Sequence, residues 1–344
     1  MDSELYDMSF IDLLTRQQGL GGMQRATLET LLGLNSRGYG SIAPMNTDQS
    51  GLILFSKPRL NLSYDNLSSD RELTPYLTEN LVTYQRMIRD TLDPIGASKV
   101  RPRCSPLVDP NQPFIPLLTN TIQSASGWPD KTAGTYTSDP GLYRQSYAMF
   151  DDHFKSYDVW DLTVQARNIK GTPLMGLINL WIKSGTAMYE GTMWPWSDAV
   201  AENKIDYVSR CWRLVLSQDL DYVQHIASTI VFPYTLPTSS IFNYDQSISK
   251  QVDSDMLSFS FKCAGFEFND PLLIQEFNKQ VAMYCAPMAG GPKRTPDTNF
   301  LVKLDKQEKS FYNYYGYPYI VEDGENELQW WVRKDVYNRL RGGV

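Results

Sequence analysis

The segment from Met256 to Phe268 constrains the fold most strongly, because apolar and polar residues alternate along it. Four apolar residues fall on one side and three polar residues on the other: Leu257, Phe259, Phe261 and Cys263, against Ser258, Ser260 and Lys262. A period of two is typical of a β-strand with one buried face. Asn269-Asp270-Pro271 follows and predicts the start of a helix that runs to about Tyr284. This region is therefore predicted to be a strand that leads directly into a helix.

Similar patterns predict further strands and helices along the chain. Strands are predicted from Gly51 and over residues 157–166, 210–216, 222–232, 317–321 and 328–332. Helices are predicted from Thr74 or Pro75 to Thr91, and from Thr172-Pro173 onward. Several strands follow one another through short turns, with little regular βαβ alternation. This order predicts an α+β fold, in which a helical N-terminal region precedes a largely antiparallel sheet or barrel-like domain with packed helices.

The N-terminal region looks like an amphipathic arm. Residues 10–34 have helical spacing in two pieces, and Phe10, Leu13 and Leu14 share one face of the first piece. Such an arm can fold against its own body or reach into a neighbouring subunit. We assign residues 1–94 to this arm and the first helices, as one of three segments.

The second predicted segment, residues 95–142, is rich in proline and has no periodic run. Its five apolar anchors are Phe114, Ile115, Leu117, Leu118 and Trp128. Three interpretations are open: an extended strap across a partner, a flexible loop, or short strands with turns. We favour the strap, because a solvated linker would not need apolar anchors. Residues 143–344 form the third segment, the α+β main domain.

Charge and cysteine usage argue against several functions. The formal net charge of -7 and sequence pI of about 5.0 disfavour general nucleic-acid binding. Four cysteines without a CxxC pair and two histidines predict no metal site and no cofactor, but buried or half-buried free thiols. The first ten residues carry acids where a signal peptide would carry basic residues, and no apolar stretch reaches membrane-spanning length. We therefore expect no membrane association. We also expect that the protein is synthesised in a cytoplasm.

The sequence predicts no catalytic residues, although one enzymatic alternative remains open. Glycoside hydrolases need two carboxylates and often line their groove with aromatic side chains. The aromatic candidates are Trp128, Trp194, Trp196 and the tyrosines of 312–319, and the acidic candidates are Asp158, Asp161, Asp198 and Glu267. The carboxylates show no spacing signature. A carbohydrate-active enzyme or sugar-binding module is thus the alternative function.

The same aromatic residues suit contacts between protein subunits. Tyrosine and tryptophan bury a large apolar body while keeping one polar atom that can remain wet. The candidate interface residues are Phe10, Leu13, Leu14, Phe114, Trp128, Trp194, Trp196, Tyr312, Tyr314, Tyr315 and Tyr317.

Three stretches give the chain a resemblance to virion structural proteins of large contractile-tailed bacteriophages. They are GLILFSKPRLNL at 51–62, the hairpin and proline-punctuated loop of 211–244, and FSFKCAGFEFNDPLLIQEFN at 259–278. The resemblance implies a structural subunit of the tail, in the baseplate, tube or neck, with several copies in a ring or wedge. It also implies that other virion proteins are the partners, that the chain resides in the virion, and that no catalytic residue can be assigned.

Overall fold

The computed structural model describes residues 49–97, 104–153, 158–202, 204–217, 220–243, 246–247, 255–289, 295–305, 307–309, 316–322 and 326–341. The predicted α+β class is confirmed, since helices pack against largely antiparallel sheet. The predicted N-terminal helices of 10–34 lie outside these ranges.

Within these ranges the strands form three antiparallel sheets. In chain order they are β1 (Gln49–Phe55), β2 (Ile122–Ser126), β3 (Thr135–Thr137), β4 (Ala148–Phe150), β5 (Val159–Arg167), β6 (Ser209–Leu216), β7 (Val223–Pro233), β8 (Met256–Phe268), β9 (Leu301–Lys303), β10 (Tyr317–Ile320) and β11 (Leu328–Arg333). The largest sheet has the order β1-β6-β7-β8-β5-β2, a second has the order β10-β11-β9, and β3 and β4 form the third. Strands from all three predicted segments thus share the largest sheet.

The helices are short apart from two. They are α1 (Tyr64–Ser68), α2 (Tyr84–Leu92), α3 (Pro116–Thr119), α4 (Pro173–Tyr189), α5 (Ser197–Ala201), α6 (Ser239–Phe242), α7 (Pro271–Tyr284) and α8 (Lys334–Arg341). The predicted starts of α4 and α7 are confirmed. Asp270 caps α7 by accepting a 2.9 Å hydrogen bond from the backbone N–H of Leu272.

Two hydrophobic cores lie on opposite faces of the six-stranded sheet. On one face, inward residues of β5 and β8 such as Leu162 and Phe261 pack with Trp181 of α4. On the other face, Trp212 of β6 packs with Phe277 of α7, with ring centroids 5.3 Å apart. Alternation along the strands produces this division, since neighbouring residues point to opposite faces.

Residues 113–121, which we call the closing segment, connect the two edges of this sheet. Just after β1, the backbone N–H of Lys57 donates to the carbonyl of Pro113, and that of Ile115 donates to the carbonyl of Phe55, both at 2.9 Å. The chain then forms α3 and enters β2, which pairs with β5. Phe114, Ile115 and Leu118 are buried in the chain's own cores. These anchors therefore close a barrel-like sheet, and this part of 95–142 is not an extended strap across a partner.

The predicted helix over 74–91 is interrupted. A 3-10 turn covers Thr74–Leu77, and α2 begins only at Tyr84. Between them the Asn80 side chain accepts from the backbone N–H of Val82, and the Thr83 hydroxyl donates to the Asn80 carbonyl. Such local side-chain bonds compete with helical hydrogen bonding, which explains the break.

A bulge in β1 depends on Gly51. Gln49 pairs with Leu216 and Leu52 with Leu214, so two residues of β1 oppose one residue of β6. Gly51 has φ +71°, and a Cβ at this position would lie 1.9 Å from the carbonyl oxygen of Leu214. Only glycine fits this position without displacing the neighbouring backbone.

We predict that Gly51→Ala lowers the free energy of unfolding by at least about 1 kcal/mol, since it adds a backbone clash to an unfavourable φ. Gly265→Ala is the matched control: Gly265 lies in β8 with φ +74°, but nothing lies within 4 Å of its Cβ position. Urea unfolding followed by circular dichroism measures both. An equal loss in the two variants would mean that the Leu214 contact is not what makes Gly51 necessary.

Candidate subunit interface

The β3–β4 hairpin is the most exposed ordered element in the described part of the chain. Every residue from Asp139 to His153 is exposed, and so are all six residues of the two strands. Side chains alternate between the faces of a two-stranded ribbon, so exposure of all of them means that neither face is covered by the body. We refer to residues 134–151 as the exposed hairpin.

Hydrogen bonds order this hairpin from base to tip. Beyond the β3–β4 pairs, the backbone N–H of Asp151 donates to Gly134, and that of Ser138 donates to Tyr147. At the tip the N–H of Gly141 donates to Gln145 at 2.8 Å, and that of Arg144 donates back to Gly141. The ladder from residue 134 to 141 spans about 20 Å at roughly 3.3 Å per residue. The hairpin is thus a defined arm whose turn is fixed before any partner binds.

The exposed hairpin has many solvent-exposed apolar side chains for its length. The exposed ones are Tyr136, Leu142, Tyr143, Tyr147, Met149 and Phe150. Leu142, Tyr143 and Phe150 are 94%, 84% and 81% exposed. Single exposed apolar residues are ordinary, but a group of this size on one ribbon is typical of a protein interaction surface.

Sequence reasoning missed this element. The predicted boundary between the strap (95–142) and the main domain (143–344) divides the hairpin at its tip. The signal was present in Asp139-Pro140-Gly141, a turn sequence flanked by β-forming Tyr136 and by Phe150. The prolines of 95–142 interrupt every periodic pattern in that segment, so the pattern alone did not predict the hairpin.

Two predicted interface residues are buried within this chain. Phe114 is 4% exposed and stacks on Phe277 with ring centroids 5.7 Å apart. Tyr317 is 1% exposed, and its hydroxyl donates to Asp109 Oδ2 at 2.5 Å. Burial raises the pKa of Tyr317, and the Asp109 carboxylate raises it further. Both residues are therefore core residues with no surface left for a partner.

The other predicted interface residues lie outside the described ranges, are half-buried, or are exposed. Phe10, Leu13, Leu14, Tyr312, Tyr314 and Tyr315 lie outside the described residues. Trp128 is half-buried against Trp160, with ring centroids 5.2 Å apart. Trp196 is half-buried, and its Nε1 donates to the Leu60 carbonyl at 3.1 Å. Trp194 is 72% exposed and stays a predicted interface residue.

A cavity of about 360 Å³ opens beside the end of β1, next to Trp196. Its wall includes the carboxylates Asp198 and Asp206 and the basic side chains Lys57, Arg59, Lys204 and Arg210. We call it the Asp206 cavity. It places a tryptophan and two acids together, as the carbohydrate alternative anticipated, although Asp206 was not among the acids named from the sequence.

Two charged groups of this cavity are strongly desolvated. Burial raises the pKa of Asp206 above its ordinary value, against the opposing effect of the backbone N–H groups of Asp206 and Tyr207. Burial lowers the pKa of Lys57 to about 8, although Asp109 and Cys104 act in the opposite direction. The Lys57 Nζ donates to the Asp109 carbonyl at 3.0 Å. This bond ties the loop before α3 to the end of β1.

The four cysteines are free thiols, three buried and Cys104 half-buried, as predicted. Among the described residues, no group of three or more His, Cys, Asp or Glu side chains is placed to hold a metal ion. None of the helices in those ranges has the length and apolar character needed to span a bilayer.

Comparison with known protein families gives a match over nearly the whole chain. A family described as "Putative phage tail tube protein" matches residues 2–342. The chain belongs to this family. The resemblance to phage virion proteins is thereby confirmed at the level of a phage tail structural protein, which resides in the virion.

Comparison of the tail protein with solved structures gives weaker similarity. A cryo-EM structure of the anti-feeding prophage cap, a tube-terminating cap, matches 45% of this chain and 81% of its own length. The sequence identity is 12% and the TM-score 0.27. No curated protein matches the chain.

We predict that Lys57 makes the stability of this tail protein rise with pH above neutrality. The pKa of Lys57 is about 8 in the folded chain against an ordinary value of 10.5, so the unfolded chain binds more protons between these values. Stability therefore increases across pH 8–10.5, by up to about 3 kcal/mol over the whole window.

Lys57→Met, which keeps a similar apolar stem, should lack this increase. The measurement is urea unfolding of both proteins at about pH 7.5 and about pH 9.5, on either side of the folded-state pKa, comparing the change with pH rather than absolute stability. Equal changes in the two proteins would show that Lys57 is not desolvated as described.

Proposed function

We propose that this protein is a subunit of the tube of a contractile phage tail, and that several copies assemble into a ring through their surfaces. The family matched over residues 2–342 supports the tube over the baseplate or neck positions considered from the sequence. Synthesis takes place in the cytoplasm of the bacterial host, and the partners are further copies and other virion proteins. The protein acts as a structural component without catalysis.

The observation that carries this proposal is the exposed hairpin. Its apolar side chains have no cover within the described part of the chain, while the hydrogen-bonded ladder keeps them in one arrangement. Full burial of a large apolar side chain is worth about 1.5–3 kcal/mol, from which the entropy cost of association is subtracted. A preordered arm reduces that cost, so docking of the hairpin on a neighbour can stabilise an assembly.

The direct experiment measures the mass distribution of the purified protein by light scattering over a range of concentrations, with negative-stain electron microscopy of the same samples. We expect defined rings or tubes that dissociate on dilution. A protein that remains monomeric at every concentration, alone and with other tail proteins of the same phage, would contradict the proposal.

The carbohydrate alternative has one observation in its favour, the presence of Trp196, Asp198 and Asp206 in one cavity. We rank this alternative second, because the matched family is named for a structural component. Release of reducing sugar from host surface polysaccharide, abolished by Asp198→Asn or Asp206→Asn, would favour the alternative over the structural role.

We predict that the exposed hairpin is needed for assembly but not for folding. Replacing residues 138–147 by Asn-Gly joins Thr137 to Ala148 through a two-residue turn. Because the removed residues contribute little to either core, the melting temperature should change by no more than a few degrees. Light scattering should then show only monomers.

A point variant separates apolar contact from chain length. Phe150→Ser should raise the protein concentration needed for assembly roughly tenfold or more, since it removes a large apolar contact. Tyr189→Ser is the matched control, because Tyr189 is 94% exposed, like Leu142 of the hairpin, but lies at the end of α4. Equal effects of both variants would argue against a specific role for the hairpin.

The N-terminal arm gives a second, independent prediction. Deleting residues 1–34 should leave the body folded, because the described residues after 49 already supply two large buried cores. The deletion should prevent assembly if Phe10, Leu13 and Leu14 reach a neighbouring subunit. Incorporation of the truncated protein into particles at the wild-type level would show that the arm is not an assembly element.

A further inference from the structure

The Asp206 cavity contains two carboxylates, those of Asp198 and Asp206, that form no ion pair with a described residue. Asp206 is 6% exposed, and its buried Oδ2 has no hydrogen-bond donor among the described residues. Asp198 lies exposed at the rim and forms no ion pair with any of them. A buried carboxylate oxygen without a donor is costly, so this cavity favours a ligand that brings N–H or O–H groups.

Two of the four basic residues of the cavity pair with carboxylates, and the other two contact uncharged atoms. Lys204 pairs with Glu202 at 2.6 Å, and Arg210 pairs with Glu267 at 2.6 Å. Lys57 donates to the Asp109 carbonyl, and Arg59 contacts the sulfur of Met283. Asp198 and Asp206 are the cavity carboxylates that form no ion pair with a described residue, and they can accept from a ligand. The remaining wall is largely apolar and includes Ile205, Ile230 and Met283.

The tip of the exposed hairpin has the complementary composition. Leu142 and Tyr143 are almost fully exposed, and Arg144 follows them in a left-handed conformation with φ +59°. Arg144 forms no ion pair with a described residue, so its guanidinium presents its N–H donors to solvent. The turn that holds these three residues is fixed by the hydrogen bonds between Gly141, Arg144 and Gln145.

We propose that the Asp206 cavity of one copy receives the hairpin tip of a second copy of this chain. Leu142 and Tyr143 lie against the apolar wall, and the Arg144 guanidinium pairs with Asp198 at the rim and extends toward Asp206. This inference rests on the proposed function, since it names the receiving surface for the exposed hairpin. The two carboxylates form no other ion pair with a described residue. Their pairing with a guanidinium therefore also favours one relative position of the two copies.

Charge reversal tests the pairing. Arg144 and Asp198 are both exposed, so Arg144→Asp and Asp198→Arg should fold normally. Each single change should raise the concentration needed for assembly about tenfold or more, because like charges then face one another. The double variant Arg144→Asp/Asp198→Arg restores opposite charges and should assemble within about threefold of the wild type. Arg71→Asp, an exposed arginine on another surface, is the control and should have no effect.

Cross-linking tests proximity without relying on charge. Tyr143→Cys combined with Ile205→Cys should give a disulfide-linked dimer and higher multimers on oxidation of the assembled protein, whereas Tyr143→Cys with Val82→Cys should not. Val82 is exposed like Ile205 but lies outside the cavity.

The outcomes separate the two proposals. The cavity is not the receiving site, although the proposed function stands, if the wild type assembles and the single reversals have no effect. The same conclusion follows if the double reversal is no better than the singles and the Tyr143→Cys/Ile205→Cys variant forms no disulfide between copies. If the wild type never assembles, both proposals fail.

Discussion

Packing of the six-stranded sheet on both faces is the constraint on which the rest of this structure depends. Trp181 covers one face beside Phe261, and its Nε1 donates to the Tyr207 carbonyl at 2.7 Å. Trp212 lies on the opposite face, and its Nε1 donates to Gln280 Oε1 at 2.6 Å. Each large ring is buried with its one polar atom satisfied, so neither leaves an unpaired donor in the core. Helices α4 and α7 are thereby held on opposite sides of the same strands.

This double packing explains which aromatic residues are left for assembly. Phe114 and Tyr317, which the sequence presents as surface aromatics, are used where 113–115 pairs with the end of β1 and where Asp109 accepts from Tyr317. The exposed hairpin leaves the sheet between β2 and β5 and takes no part in either core. The exposed apolar residues of the hairpin are therefore distinct from the residues that build the two cores.

The sequence predicted the elements whose signal is local. The alternation of β8, the Asp270 cap of α7 and the β6–β7 hairpin each depend on neighbouring residues, and each is present as predicted. The closing segment was not predictable in the same way, because its prolines read as irregular chain and its pairing with β1 joins residues more than fifty positions apart. The Asp206 cavity was missed for a similar reason: Lys57, Asp206 and Met283 come together only through the fold.

Non-local hydrogen bonds fix the wall of the Asp206 cavity, and this bears on the proposed assembly. Lys57 lies at the end of β1 and is fixed by Asp109, which also accepts the Tyr317 hydroxyl, so the cavity wall is connected to both the closing segment and the second sheet. The Tyr284 hydroxyl adds a bond to the Lys57 carbonyl at 3.2 Å. A wall held by several buried hydrogen bonds loses little freedom when a partner side chain enters. The same holds for the hairpin turn, which is already hydrogen-bonded in the free chain. Two preordered surfaces can associate through a few side chains, and in the proposed ring the repetition of a modest contact would stabilise the assembly.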